Sequence, residues 1–290
     1  LLEGADRALE RALVLARRVR GTAEGRLHVS LAPRFILSCS EQLWRDVNDA
    51  SREHGLLVHT HLAESPGEGS EVKAAVGSHA APYFAARGVL SPRFVGAHGV
   101  WLDPGEIELM RHTDAALVHC PGSNLKLGSG LADVRAWKRA GVRCGLGSDG
   151  AACNNRLDTF AEMGLAAGIA RVTHRDEPLA AHDILALATC DGAAALGLSE
   201  RVGSLEAGKQ ADVVVVAADQ PRHGPLPERD AYTTIVHAGA ASDVRLTMVD
   251  GRVLYQHGRL STLDAGRCTA DAAREARALL QRAGFAGAAA

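Results

Sequence analysis

The stretch Val58-His59-Thr60-His61-Leu62-Ala63-Glu64 ends a strand-like segment in side chains that bind metals. Two later strand-like segments end in a similar way, at Gly96-Ala97-His98 and at Gly147-Ser148-Asp149. When parallel strands close into a barrel, their carboxyl ends open into one shared pocket. Three separate parts of the sequence can then meet one cation, and the pattern predicts a (β/α) barrel.

The histidines and acids at these strand ends favour a divalent cation. Neutral imidazole nitrogen and carboxylate oxygen are the usual donors to a catalytic zinc, and one coordination position is left to water. We therefore expect one bound divalent metal ion, zinc in the first place, with Fe²⁺ as the alternative.

Strand and helix signals alternate through the first two hundred residues, which predicts a parallel sheet built from βα units. An amphipathic helix opens the chain, with apolar residues at Ala5, Leu9, Ala12, Leu13, Ala16 and Val19. Strands are predicted at 27–34, 56–61, 94–98, 115–120 and 142–147. Helices are predicted at 41–54, 68–87, 104–113, 134–140, 159–171 and 182–196.

The character of the sequence changes after this alternating region. A β-branched run at 212–217 and an alternating pattern around Asp250-Gly251 predict a small β module with a hairpin. We expect a partial barrel carrying the metal site at 1–207, the β module at 208–262, and a C-terminal helix and tail at 263–290.

Composition argues against several classes of partner. The chain is 47% hydrophobic and 23% charged with a net charge of −2, which is typical of a globular protein and gives no electrostatic footprint for nucleic acid. No run reaches the roughly 18 apolar residues of a membrane span. The six cysteines form no C-x-x-C pair, so a reducing cytoplasm is the expected location.

Two glycine-rich stretches match phosphate-binding patterns without the required context. Gly145 to Gly150 fits G-x-G-x-x-G, but the carboxylate of Asp149 would repel a pyrophosphate. Gly203 to Lys209 fits the start of a P-loop, but Gln210 replaces the Ser or Thr that binds magnesium, and a predicted strand follows. Both patterns are rejected.

Several short motifs run in a fixed order along most of the chain. They are Pro33-Arg34-Phe35, Ser38-Cys39-Ser40, His61-Leu62-Ala63-Glu64, Ala97-His98-Gly99, the stretch 119–124, Gly147-Ser148-Asp149-Gly150, the stretch 153–158, and the stretch 203–212. In this order the chain resembles the metal-dependent amidohydrolase superfamily, specifically its cyclic-amidine deaminase branch. That branch includes guanine, adenosine-derivative and aminotriazine hydrolases.

The resemblance implies an α/β fold: the C-terminal part of a (β/α)8 TIM-like barrel, about strands 4 to 8, followed by a small β-sandwich module. The family carries a His-x-His pair on its first strand, and no histidine precedes residue 28. His59 and His61 spell His-x-His, but Glu64 makes this the fifth-strand motif. A complete barrel takes about 250 residues, and the chain opens on Leu1-Leu2-Glu3. We therefore expect a C-terminal part that lacks the first three strands.

The resemblance also implies roles for the strand-end side chains. His61 and Asp149 are the expected metal ligands, and Glu64 is the expected proton shuttle. His98 is expected to face the hydrolytic water or the developing charge. Taken singly, these residues have structural alternatives: a core histidine, a helix-capping glutamate and an Asx-turn aspartate.

Arg34, Asn124 and His98 are the expected substrate-binding residues. The planar guanidinium of Arg34 suits a carbonyl, a ring nitrogen or a carboxylate of a substrate, and a surface salt bridge is the alternative. His119 and Asn124 bracket a Pro-Gly turn at a strand end, where pocket-lining and turn-forming roles stay equally open.

The function implied is hydrolytic deamination of a purine, pyrimidine or triazine type ring. Metal-bound hydroxide, formed with the help of Asp149, would attack the ring carbon. Glu64 would protonate the adjacent ring nitrogen, and His98 would stabilise the adduct. The alternatives are a chlorohydrolase or N-alkylamine hydrolase acting on a triazine-like ring, and a non-catalytic barrel scaffold.

The expected partners are a small heterocyclic substrate and water, with no nucleic acid and no membrane. Arg34 with Ser38-Cys39-Ser40 looks like the guanine enzymes, whereas the stretch 153–156 looks like the adenosine-derivative enzymes, so the ring stays open. A chain that lacks three strands would expose a sheet edge. We therefore also expect aggregation or a homo-oligomer.

Overall fold

Five parallel strands, hydrogen-bonded in the order in which they occur in the sequence, form the main sheet. A computed structural model describes residues 4–285. The strands are β1 (Ser30–Leu31), β2 (Leu57–Leu62), β3 (Phe94–His98), β4 (Ala116–His119) and β5 (Arg143–Leu146). Neighbouring strands pair in parallel throughout. Sequential parallel strands need helical crossovers, which places this part of the chain among βα architectures.

Helices connect these strands, precede the first of them and follow the last. They are α1 (Ala5–Val19), α2 (Glu41–His54), α3 (Glu68–Val76), α4 (Ala80–Ala86), α5 (Pro104–His112), α6 (Pro121–Leu127), α7 (Val134–Ala140), α8 (Thr159–Thr173), α9 (Ala181–Leu187), α10 (Cys190–Ala195), α11 (Ala231–Thr233) and α12 (Ala265–Arg282). No helix within residues 4–285 is long and apolar enough to cross a membrane.

Two of the predicted helices are each divided in two. The predicted helix at 68–87 breaks after Gly77, which adopts a left-handed conformation (φ 82°) and ends α3, before an extended His79 starts α4. The predicted helix at 182–196 breaks at Ala188 and Thr189. The Pro-Gly turn expected after β4 is a helix instead, because Pro121 fits a first helical position and Gly128 ends α6 in a left-handed conformation.

All five predicted strands are present. The strand predicted at 94–98 agrees with β3 at both ends, the strand at 56–61 is shifted by one residue from β2, and the other three are shorter than predicted. The strand predicted at 27–34 reduces to Ser30–Leu31, whose only strand neighbour in the described sheet is β2. In β2, Val58, Thr60 and Leu62 are buried on one face. His59 and His61 share the other, more open face, as the two-residue period of a strand requires.

A second, antiparallel sheet lies late in the chain. Its strands are β6 (Val213–Val216), β7 (Val244–Val249), β8 (Arg252–Gln256) and β9 (Arg259–Leu260), paired in that order. The predicted hairpin is present, and both of its turn residues have positive φ, 50° at Asp250 and 76° at Gly251. The last five residues of the predicted tail lie outside the described residues.

The chain divides into two compact units. One contains the residues up to Lys209 together with Ala218–Ser242, and the other contains Gln210–Ala217 and the described residues from Asp243 onward. The expected surface loop at 219–230 includes short 3-10 turns at Pro221–His223 and Pro227–Asp230.

Aromatic packing fills the helical side of the main sheet. Trp44 of α2, Phe84 of α4 and Phe94 of β3 are fully buried. Their ring centroids lie 4.5 Å apart for Trp44 and Phe84, and 5.6 Å apart for Phe84 and Phe94. Because each ring comes from a different element, this cluster fixes two helices against the strand that ends in His98.

His119, the last residue of β4, belongs to the core. Its ring meets Trp137 edge to face with centroids 6.2 Å apart, and it is 1% exposed. Neither ring nitrogen has a hydrogen-bond partner among the described residues. Burial, with a smaller contribution from nearby His98, lowers the pKa of His119 to about 3. The ring is therefore a neutral part of the core.

Replacing His119 with Phe should flatten the dependence of stability on acid pH. An unfolded chain takes up a proton at this histidine below about pH 6.5, whereas the folded chain does so only near pH 3. Between these values His119 should therefore remove about 1.4 kcal/mol of unfolding free energy per pH unit of acidification. Urea unfolding at pH 7, 6 and 5 measures this slope. Exposed His28→Phe is the matched control, and equal slopes for His119→Phe and the parent chain would contradict the assignment.

Candidate active site

The register between β2 and β3 brings the two strand-end histidines together. His61 is paired with Ala97, and Leu62 is paired with His98. The imidazole rings of His61 and His98 stack with centroids 5.3 Å apart and planes 25° apart. The first two histidines singled out in the sequence therefore share one place at the carboxyl ends of their strands.

A backbone carbonyl fixes the orientation of His61. Nδ1 of His61 donates to the carbonyl oxygen of Arg34 at 2.6 Å. The same carbonyl accepts from the His61 amide at 3.1 Å and from Thr60 Oγ1 at 3.1 Å. A carbonyl can only accept, so Nδ1 carries a hydrogen, and a neutral His61 then has its lone pair on Nε2. This is the usual preparation of a metal-binding histidine.

Arg34 thus enters the site through its backbone. Its side chain is exposed, and within residues 4–285 its guanidinium makes no ion pair. The salt bridge considered as an alternative is absent from this part of the chain.

Glu64 completes a group of three donors. Its Oε2 lies 3.9 Å from His98 Nε2, and its Oε1 accepts from Ser129 Oγ at 3.4 Å. One donor atom each from His61, Glu64 and His98 lies within 4.8 Å of the other two. Two imidazoles and a carboxylate are a donor set that suits zinc. The residues present therefore fit a divalent metal.

Glu68 holds the backbone that carries Glu64, and the sequence interpretation missed it. Its carboxylate, 8% exposed, accepts from the amides of Ala63 at 2.8 Å, Glu64 at 2.7 Å and Ser65 at 3.3 Å. An acid in the first turn of a helix is a capping signal. That signal is present in the sequence at the start of α3 and could have indicated this role.

Asn124 contacts the ring nitrogen of His98 that does not face Glu64. Its Oδ1 accepts from His98 Nδ1 at 2.9 Å, and both side chains are buried. The structure thus places Asn124 against His98, where it leaves Nε2 as the nitrogen that faces Glu64. Asn124 lies in α6, 26 residues away from His98 in sequence, and no local pattern indicates their contact.

Asp149 lies beside this group and outside the three-donor set. Its Oδ2 accepts from Ser123 Oγ at 2.6 Å, and its Oδ1 accepts from the Gly150 amide at 2.6 Å. Burial raises the pKa of Asp149, but these two hydrogen bonds and nearby His98 outweigh burial and lower the pKa below its ordinary value. Asp149 is therefore an anion at neutral pH.

Three residues at these strand ends have strained backbone conformations. Ala63, His98 and Asp149 have φ values of 49°, 78° and 62°, in the left-handed region that residues other than glycine rarely adopt. Such conformations cost about 1 to 3 kcal/mol each and cluster at functional sites.

Curated relatives resemble this chain over most of its length. It is 36% identical over 266 residues to the 5-methylthioadenosine/S-adenosylhomocysteine deaminase of Moorella thermoacetica, covering 91% of this chain and 62% of the relative. It is 37% identical over 245 residues to the 5'-deoxyadenosine deaminase of Methanothermobacter thermautotrophicus, covering 84% and 56%. The chain thus spans about 60% of the length of these relatives.

Solved structures resemble the fold closely. The zinc-bound adenosine deaminase from Xanthomonas campestris has a TM-score of 0.88 at 30% identity, covering 93% of this chain and 61% of that one. The zinc complex of atrazine chlorohydrolase from Arthrobacter aurescens has a TM-score of 0.87 at 25% identity, covering 94% and 60%. Escherichia coli guanine deaminase has a TM-score of 0.81 at 28% identity, covering 89% and 61%. The fold is accordingly α/β and TIM-barrel-like, with a parallel sheet.

The family assignment rests on most of the chain. The profile of the Amidohydrolase family matches residues 3–254, which contain every strand-end residue of the site. The relatives and the solved structures agree with this match, and the predicted resemblance is confirmed. The chain belongs to the Amidohydrolase family.

Proposed function

We propose that this chain carries the active site of a metal-dependent deaminase that hydrolyses the amino group of an adenosine derivative. The observation that supports this proposal most directly is the convergence of His61, Glu64 and His98. Each imidazole donates from Nδ1 to an oxygen acceptor, which leaves Nε2 as the nitrogen that can bind a metal or water. The deaminase relatives, at 36% and 37% identity, support the purine nucleoside class over the guanine and triazine classes.

We assign His61 and Asp149 as residues that would hold the metal. His61 offers the Nε2 lone pair, and Asp149 offers an ionised carboxylate. When bound, a divalent cation supplies a water of lowered pKa. Glu64 and His98 lie close enough to His61 to share that ion or to face its water.

The other residues would move and hold protons. Glu64 takes one proton from the attacking water and gives it to the ring nitrogen next to the attacked carbon. Ser129 orients its carboxylate, and the Glu68 cap holds its backbone. With Nδ1 donating to Asn124, a neutral His98 can only accept at Nε2. His98 therefore orients the water by accepting its hydrogen, and it can donate to the adduct only after gaining a proton. Asp149 accepts the second proton of the water and passes it to the amino group, which leaves as ammonia while the attacking oxygen becomes the ring carbonyl.

We also propose that the five parallel strands are the fourth to the eighth of an eight-stranded barrel, followed by a β-sandwich module. The order of the strands, with His61 on the second, Glu64 just after the second and Asp149 after the fifth, supports this numbering. In such a barrel, a His-x-His pair on the first strand would add two further ligands.

A triazine chlorohydrolase is the second candidate, because the chlorohydrolase structure superposes with a TM-score of 0.87. The same attack on an electron-poor ring would release chloride instead of ammonia. The assay that separates the two measures ammonia from 5'-deoxyadenosine and 5'-methylthioadenosine and chloride from atrazine. Ammonia release supports the proposal, and chloride release with no ammonia overturns it.

Replacing Glu64 with Gln should lower turnover while leaving the metal bound. Loss of a general acid and base typically reduces the rate by about two to four orders of magnitude. The measurement compares kcat and metal content in the protein expressed from its full coding sequence. Glu53→Gln, at a side chain that is 75% exposed, is the matched control. Unchanged kcat in Glu64→Gln at equal metal content would remove Glu64 from the mechanism.

The 290-residue chain by itself should bind zinc weakly and deaminate negligibly. Its own donors are fewer than the closed coordination shell that the proposed barrel provides. Titration with Zn²⁺ against a chelating indicator, together with ammonia release, tests this expectation. A monomeric 290-residue chain with one tightly held zinc and measurable turnover would contradict the strand numbering.

Asn124 variants should show whether its acceptor matters. Asn124→Asp keeps an oxygen facing His98 Nδ1, whereas Asn124→Leu removes it at similar volume. Loss of such a supporting contact typically costs about 10- to 100-fold. We expect kcat to fall by that factor in Asn124→Leu and by much less in Asn124→Asp. Equal losses in the two variants would show that the effect is only packing.

A further inference from the structure

Glu162, in the first turn of α8, is a buried acid without a cationic partner. It is 2% exposed, and no lysine, arginine or histidine in residues 4–285 pairs with it. Its Oε2 accepts from the Gly122 amide at 2.8 Å, and its Oε1 accepts from Asn154 Nδ2 at 2.6 Å. Burying such a group is costly unless its oxygens are hydrogen-bonded. These two contacts therefore account for its position.

Asn154 organises the loop that carries Asp149, which we term the Asp149 loop (residues 147–158). Asn154 Oδ1 accepts from the amides of Arg156 at 3.1 Å and Leu157 at 3.4 Å. Its own backbone amide donates to the Gly150 carbonyl at 2.8 Å. Asn154 is 6% exposed. It links the first half of the loop, through Gly150, and the second half, through Arg156 and Leu157, to Glu162.

Helix α6 holds the same loop from the other side. Ser123 Oγ donates to Asp149 Oδ2 at 2.6 Å. Lys126 Nζ donates to the Ala152 carbonyl at 2.8 Å. Gly122, the residue before Ser123, has no room for a side chain, because an added Cβ would lie 2.7 Å from Asn154 Nδ2. The backbone of α6 at Gly122 therefore contacts Glu162 directly, with no side chain between them.

We propose that Glu162 is a positioning residue for Asp149. By binding α6 at Gly122 and the Asp149 loop at Asn154, it fixes these two segments in the arrangement in which Ser123 reaches Asp149. Glu162 lies outside the group formed by His61, Glu64 and His98, so it would act on the reaction only through Asp149. The inference rests on the proposed function insofar as Asp149 takes part in the reaction.

The pattern of hydrogen-bond donors and acceptors around Glu162 makes the proposal testable. A carboxylate offers two acceptor oxygens, which suits the two donors that it meets. Glu162→Gln would turn an N–H group toward a donor, and Asn154→Asp would set two carboxylates against each other. The double variant restores a match, because the introduced amide would accept from Gly122 through its oxygen and donate to the introduced carboxylate through its nitrogen. The other oxygen of that carboxylate would still accept from the amides of Arg156 and Leu157.

The experiment is a four-member cycle of parent, Glu162→Gln, Asn154→Asp and the double variant, each with the full coding sequence. Readouts are kcat and KM for 5'-deoxyadenosine, hydrogen exchange of the peptide covering 147–158, and thermal unfolding. Each single variant should lower kcat about 10-fold or more, with little change in KM, and should speed exchange in the loop. The double variant should recover most of the kcat and most of the protection of the loop from exchange. Glu200→Gln, at an exposed site, should behave as the parent.

Two outcomes would overturn the proposal. Single variants that lose thermal stability with unchanged kcat and loop exchange would make Glu162 a core residue only. A double variant no better than the worse single variant would show that hydrogen-bond polarity is not the cause. If the parent releases no ammonia, the proposed function fails, and loop exchange across the cycle still decides whether Glu162 fixes the loop.

Discussion

The register between β2 and β3 is the constraint on which the site depends. Pairing Leu62 with His98 places the two imidazoles side by side. A slip of one residue would turn His61 into the helical core and Val58 and Leu62 out of it. The buried rings of Trp44, Phe84 and Phe94 oppose that slip, because they fill the helical side of the sheet. Hydrophobic packing on the helical face of the sheet therefore determines which side chains meet in the candidate site on the opposite face.

Elements with local signals could be predicted from the sequence to the residue. Helix α2 has a Ser40 cap that accepts from the Leu43 amide and a Gly55 stop, and α7 has an Asp133 cap and a Gly141 stop. By contrast, β1 shrinks to two residues, because pairing with a neighbour rather than composition determines its length. The division between α3 and α4 had a local signal too, since a glycine at position 77 is a common helix stop.

The supporting side chains of the site were harder to predict, because they are tertiary contacts. Asn124 meets His98 across 26 residues, and Gly122 meets Glu162 across 40. Glu68 and Glu162 nevertheless follow one rule. Each is an acid in the first turn of a helix that binds backbone amides of the site. A first-turn acid after a strand-end motif is thus a signal that sequence interpretation can use elsewhere.

The left-handed conformations of His98 and Asp149 carry an evolutionary consequence. At both positions the backbone favours glycine, and the packing and hydrogen bonds of the side chain oppose that preference. A descendant in which the proposed reaction is no longer selected would be relieved of this strain by glycine at half-buried position 149, whereas glycine at buried position 98 would leave a cavity that offsets the gain. Glycine at position 149 would therefore mark a lineage in which selection for the proposed reaction has been relaxed, and would distinguish it from one that has only changed its substrate.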